Sequence, residues 1–487
     1  MAKEHQVNDR REPMTETDAP TGGEDEQETA PRIPADNLSV TAHTLDLDGE
    51  SIEYTATTGT YVLREEPGGS TYTRAEPYAE VFSVSYVRTT GEEPSTRPVV
   101  FAFNGGPGAS TVWLHLGILG PRRVEAPDAG EVGSLPAGLT DNAETILREA
   151  DLVCIDAMTT GYSRPSEGTA PGRMHGFTED RDLIAAFIIE WLTRNDRWQS
   201  PKYLAGESYG TTRGAAIAAR LMDRYFVAVN GLLLIAPVLD MGTIVFSPGN
   251  DAPYIHYLPT YAAIAHAHGK HPGVAVEQIV DEAEAFAEQE YPQLLAQGHR
   301  LGTEDKRDAA ERIAGLIGVD ADWVERADLR PEHQAYLAEL LRPEGRVVGR
   351  IDGRFSAPAG NANAERMETD PSIDQLAPAY TTAINDYLRR DLQFRTDVVY
   401  EIMSGRVHPW SYKDFENRSV EVATDLARTM RKVPQMRVFV AHGYTDAATP
   451  FHASEYVLAH LAIPREDYEE RIRICYYESG HMMYVHE

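Results

Sequence analysis

The chain has 487 residues, a formal net charge of −31 and 42% hydrophobic residues. That length allows one large domain with an insertion or two to three ordinary domains, and the composition is that of a soluble globular protein. The carboxylate excess repels nucleic acid and anionic membranes, and no apolar run of about 18 residues offers a membrane span, so neither partner is expected.

Residues 1–36 are polar, acidic and almost without large apolar side chains. They cannot bury enough surface to offset their ordering entropy, so a disordered tail is expected. Arg10-Arg11 is not followed by an apolar run, does not read as an export signal, and leaves a cytoplasmic location as the expectation. Lysine is scarce and arginine carries most of the basic charge. A salt-rich cytosol, as in a halophilic microbe, is one reading of such a surface. An acidic protein from a GC-rich genome is the other.

From Asn37 to Val100 short alternating segments follow. Val40–Leu47, Ser51–Thr57, Gly59–Val62 and Ala79–Arg88 read as antiparallel strands broken by turns such as Asp48-Gly49 and Pro67-Gly68-Gly69. Then Pro98–Phe103, Leu152–Asp156, Lys202–Ala205, Val229–Ala236 and Arg437–Ala441 form compact apolar runs, each ending at small or polar residues. Such runs suit strands buried on both faces. Helical periodicity lies between several of them, notably over Thr178–Thr193 and Thr211–Tyr225. The alternation predicts an α/β protein whose mixed, mostly parallel central sheet carries helices on both faces, with its site beyond the carboxyl ends of the strands.

Residues 241–395 are mostly helical in pattern, with long segments at Val274–Glu290 and Pro331–Arg342 and a weak strand signal at Arg346–Ile351. They predict a helical cap inserted between two parts of a core, 37–240 and 396–487. Cys154 and Cys475 lie inside strand-like runs and are expected to be buried and reduced. No Cys/His cluster has metal-ligand spacing, so neither a metal nor a cofactor is expected.

Three groups of residues carry chemistry. Gly206-Glu207-Ser208-Tyr209-Gly210 follows one strand and opens a helix, the context of a turn that forces a serine side chain into the open. Flanking glycines avoid collisions in so sharp a turn. Asn104-Gly105-Gly106-Pro107-Gly108-Ala109-Ser110 follows another strand but lacks the Lys-Ser/Thr of a phosphate-binding loop. Its small residues let backbone N–H groups, here that of Gly106, supply half of an oxyanion hole, with the Tyr209 N–H as the other half. A serine nucleophile needs a base, and His481 follows the strand-like Arg471–Tyr477 and a Glu478-Ser479-Gly480 turn. Asp446 is the only acidic residue between His442 and Phe451. The order Ser208, Asp446, His481 is that of an α/β-hydrolase, in which His481 takes the serine proton and Asp446 orients it. His442 precedes the turn and is read as structural.

Together these motifs resemble the serine carboxypeptidase family. Leu119-Gly120-Pro121 and Asp156 through Ser163 add to the resemblance, which covers roughly residues 98–240 and 435–485. It implies an acyl-enzyme reaction that removes C-terminal residues from peptides. It further implies that Asn104, Gly105 and Glu207 hold the substrate's terminal carboxylate. Two bare carboxylates repel, so Glu207 would act while protonated, which favours acidic pH.

The chain departs from the family at several points. A tryptophan two residues before the asparagine is Ala102, the second carboxylate-binding glutamate falls at Ile118, and Ala109 replaces a cysteine. Loss of that glutamate leaves an esterase or acyltransferase with the same triad as the alternative to a peptidase. Arg122 or Arg123 is a candidate fork donor for a carboxylate, with a structural role as the other reading. A non-catalytic binding protein is the third possibility, weakened by retention of every catalytic element.

Overall fold

The computed structural model describes residues 34–47, 49–65, 76–90 and 93–486. The expected tail at 1–36 thus falls almost wholly outside the described residues, as does the turn at Pro67-Gly68-Gly69.

Among the described residues nine strands follow one another across the central sheet. In chain order they are β1 Asn37–Leu47, β2 Glu50–Glu65, β3 Glu76–Arg88, β4 Val99–Phe103, β5 Asp151–Ile155, β6 Lys202–Glu207, β7 Gly231–Ile235, β8 Arg437–Gly443 and β9 Ile472–Tyr477. Their spatial order is β1-β2-β3-β5-β4-β6-β7-β8-β9, and the two-residue strand Arg164–Pro165 pairs with β3 off this path. The first three pair antiparallel and β3 meets β5 antiparallel. From β5 to β9 every pairing is parallel. The segments Ser51–Thr57 and Gly59–Val62 are one strand, β2, rather than two. It passes through Gly59 without breaking because only glycine fits there: a Cβ would lie 1.9 Å from the Asn37 carbonyl oxygen.

Alternation along the strands splits the core into two faces. Phe101, Val153, Leu204, Leu232, Leu234, Val438 and Val440 pack with the helices Phe177–Arg194, Tyr209–Tyr225 and Ala423–Lys432. Val100, Leu152, Cys154, Ala205 and Ile235 face the other way, against residues of Val112–Leu114, His115–Leu119 and the helix Pro371–Arg390. Cys154 is buried as expected, but Cys475 is only half-buried because β9 ends the row of strands. Both thiols are free.

The helices Ala252–Ala267, Val276–Gln289, Tyr291–Gln297 and Thr303–Ile317 gather around an apolar cluster of their own. Ala447, in the loop after β8, joins that cluster, and Phe451 packs on Ala263, Val276 and Val280. This helical unit therefore rests on the carboxyl end of β8. Helix Pro371–Arg390 belongs instead to the core of the sheet. Among the described residues no helix is long and apolar enough to cross a membrane.

Candidate active site

Strand β6 passes into the helix Tyr209–Tyr225 through one residue. That residue, Ser208, has φ 61° and ψ −131°, a left-handed conformation whose strain persists only where the surroundings enforce it. Its N–H donates to the Ile235 carbonyl at 3.0 Å. A Cβ on Gly206 would lie 2.2 Å from the Gly210 oxygen, and one on Gly210 would lie 2.6 Å from the Phe103 oxygen. The elbow is therefore built for glycine on both sides of the serine.

The glycine-rich loop lies directly on this elbow. A Cβ at Gly105 would meet the Tyr209 amide nitrogen at 2.5 Å and the Glu207 carbonyl oxygen at 2.7 Å. Gly106 has φ 101°, and the Ala109 N–H donates to the Gly105 carbonyl at 3.1 Å. The two elements expected to supply oxyanion donors thus touch, at the end of a helix whose first N–H groups lack intrahelical partners. Tyr209 itself is buried, with the Arg213 guanidinium 5.3 Å from its ring centre.

Asp446 and His481 are in direct contact. His481 Nδ1 is 2.7 Å from Asp446 Oδ2. The Ala448 and Thr449 N–H groups donate to Asp446 Oδ1 at 2.8 and 3.0 Å. The Thr449 hydroxyl is within hydrogen-bond reach of Asp446 Oδ2 and of the Ala236 carbonyl. Ala236 follows Ile235, the acceptor for Ser208, so one short path of backbone joins the serine to the acid–base pair. The His481 N–H is held by the Ile351 carbonyl at 2.7 Å. Burial pulls the His481 pKa down, but the charge and hydrogen bond of Asp446 outweigh it and raise the pKa above 6.5.

Glu207 is the second buried acid here. Asn104 Nδ2 donates to its Oε1 at 2.9 Å, and Tyr484 Oη donates to its Oε2 at 2.7 Å. The Leu114 N–H donates to Asn104 Oδ1 at 3.1 Å, which fixes the amide's orientation. Burial pushes the Glu207 pKa up to about 7, against the opposing pull of His481 and the Tyr484 hydrogen bond. Asn104, Gly105 and Glu207 are thus brought together beside the His481–Asp446 pair.

The two arginines after Pro121 serve the scaffold. Arg122 pairs with Asp141 at 3.1 Å and donates to the Leu139 carbonyl at 2.9 Å. Arg123 donates to the Tyr484 carbonyl at 2.6 Å. Ala102 is fully buried in β4, and Ile118 packs partly buried against the same cluster. His442 is buried near Ser454, its pKa lowered by burial to about 4. Thr449 and Tyr484 belong to no motif in the sequence. Each lies three residues after a triad candidate, the only local signal available. Among the described residues no group of three or more His, Cys, Asp or Glu side chains could hold a metal ion.

A mixed sheet with this strand order, a serine elbow after β6, an acid after β8 and a histidine after β9 define an α/β-hydrolase fold. The family model for serine carboxypeptidases matches residues 81–482, and the chain belongs to that family. In structure it is similar to the prohormone-processing carboxypeptidase Kex1(Δ)p of Saccharomyces cerevisiae, with TM-score 0.53, 12% identity and 88% of each chain covered. In sequence it is similar to serine carboxypeptidase-like 33 of Arabidopsis thaliana, 26% identical over 165 residues. That match spans 32% of this chain and 33% of the Arabidopsis protein.

Proposed function

We propose that the chain is a serine-type, carboxypeptidase-like hydrolase that releases C-terminal residues from peptides through an acyl-enzyme. Ser208 Oγ attacks the last peptide carbonyl and gives its proton to His481 Nε2, the ring nitrogen that Asp446 leaves free. The oxyanion forms against the N–H groups of Gly106 and Tyr209. His481 returns the proton to the departing amine, and water then hydrolyses the Ser208 ester by the same route in reverse. Asn104, Gly105 and protonated Glu207 receive the free carboxylate of the departing residue. The helices packed on the Asp446 loop form a cap over the bound peptide.

The observation that carries this reading is the 2.9 Å bond between Asn104 and Glu207, beside His481 and in a buried setting that keeps the acid protonated up to about pH 7. A carboxylic acid held neutral is a donor to a substrate carboxylate rather than a repelling charge. Apolar side chains at Ala102 and Ile118 favour a second reading, an esterase or acyltransferase with the same triad. Blocked dipeptides with a free or amidated C-terminus, set against p-nitrophenyl esters, separate the two. A strong preference for the free acid is expected, together with labelling of Ser208 by a fluorophosphonate. Equal cleavage of acid and amide would favour the esterase.

A further inference from the structure

Tyr484 lies in the short turn Met483–Val485 that follows His481. Its hydroxyl is buried against Glu207, 277 residues earlier in the chain. Two contacts fix the ring and backbone of this residue. Arg123 holds the Tyr484 carbonyl at 2.6 Å. Gly117 has no Cβ, and one placed there would lie 2.3 Å from the Tyr484 ring. The same Cβ would lie 3.0 Å from the Tyr380 hydroxyl. Gly117 precedes Ile118, the position at which the family's second glutamate is missing. The space beside Glu207 is thus filled from the C-terminal turn, by a phenol.

We propose that Tyr484 is a positioning residue that stands in for the missing glutamate, its hydroxyl orienting Glu207 and setting the pH range over which a free C-terminal carboxylate is accepted. The proposal rests on the reading of Glu207 as the carboxylate-binding acid. Two carboxyls sharing a site titrate as a coupled pair. A carboxyl beside a phenol does not, because burial keeps the Tyr484 hydroxyl protonated well above pH 10. Around Glu207 stand Asn104 from the loop after β4, His481 from the turn after β9, Asp446 from the loop after β8 and Tyr380 from the helix Pro371–Arg390. Of the direct hydrogen bonds to Glu207, Asn104 occupies Oε1 and Tyr484 occupies Oε2. A donor to a carboxylate favours the ionised form, so removing the phenol oxygen keeps Glu207 protonated to higher pH.

The test is the pH dependence of kcat/KM for Tyr484→Phe, measured with a free-acid peptide and with an ester that carries no carboxylate. For the free acid the descending limb moves up by about one pH unit, a tenfold change in proton affinity. Ester turnover at high pH stays as it was. An unmoved limb in Tyr484→Phe, with Glu207→Ala abolishing the preference for acid over amide, overturns the role of Tyr484 and leaves Glu207 in its own. If Glu207→Ala keeps that preference, the carboxylate reading itself fails. Should Tyr484→Phe not fold, 3-fluorotyrosine placed at position 484 tests the same point. Its more acidic phenol is a stronger donor, so the limb moves down, and an unmoved limb overturns the proposal.

Discussion

Arg213 Nε donates to Asp180 Oδ2 at 2.6 Å, joining the two helices beneath the serine elbow, and both side chains are buried. The same guanidinium donates to the Asn104 carbonyl. One cation thus ties the helix after Ser208 to its neighbour and to the loop that carries the carboxylate-binding candidates.

Replacing Arg213 with methionine strands the Asp180 carboxylate in the core. Burial already raises the Asp180 pKa even with the arginine in place. Leaving a buried charge without its partner costs about 3–5 kcal/mol, whereas removing both partners is often close to neutral. Urea unfolding should show a loss in that range for Arg213→Met and recovery of much of it in Arg213→Met/Asp180→Leu. A double variant no more stable than the single one would mean that the pair is not the cause. Activity should stay low in both, because the Asn104 loop has lost its anchor.

Ser208 offers a test of its strained backbone. Ser208→Ala and Ser208→Gly should each lower kcat by about a millionfold, as loss of a triad nucleophile does. Their stabilities should differ. Glycine relieves a left-handed φ that costs about 1–3 kcal/mol, less about 0.5–1 kcal/mol for its freer unfolded chain. Ser208→Gly is therefore expected to unfold at higher urea than Ser208→Ala. The reverse order would show that the elbow is unstrained.

Much of this arrangement is legible in the sequence because it is local. The parallel strands β4 to β8 read as apolar runs since both of their faces are buried, and Gly206 and Gly210 spell the elbow around Ser208. The strand pattern misleads where a single close approach decides, as at Gly59. Helical pattern over Pro331–Arg342 yields only His333–Glu339, because Glu332 caps its start by accepting the Ala335 N–H and Pro343 lies in the turn beyond its end. The partners of Glu207 are illegible for another reason. Asn104 and Tyr484 meet it across 103 and 277 residues, and no periodicity records such a meeting.

Glu207 and His481 should give the reaction two different pH profiles. In the proposed mechanism ester cleavage needs neutral His481, whose pKa is raised, so its rate should climb through a limb above pH 6.5. In that mechanism peptide cleavage also needs neutral Glu207, which loses its proton near pH 7. The active form then holds one proton between the two groups, and kcat/KM for a free-acid peptide should be bell-shaped with limbs that belong to the pair. Ionised Glu207 helps to raise the His481 pKa, so Glu207→Gln should move the ester limb to lower pH. A limb that stays in place would show that the two groups do not interact.

Stability should respond to pH and salt at the contact between the helices Val276–Gln289 and Phe451–Ala459. Glu284 is partly buried, and burial together with Glu455, Asp281 and Glu288 pushes its pKa up to about 8 from 4.5. A carboxyl whose pKa is raised on folding favours the folded state while protonated. That contribution is complete below about pH 4.5 and is lost as pH rises through about 8. Glu284→Gln should therefore raise the melting temperature at about pH 9 and lose that advantage as the pH approaches 4.5. Molar KCl should narrow the gap at high pH, because screening weakens the same repulsion, and with a net charge of −31 it should raise the melting temperature of the parent chain too. A difference between Glu284→Gln and the parent that is constant from about pH 5 to pH 9 would show that the cluster exerts no repulsion.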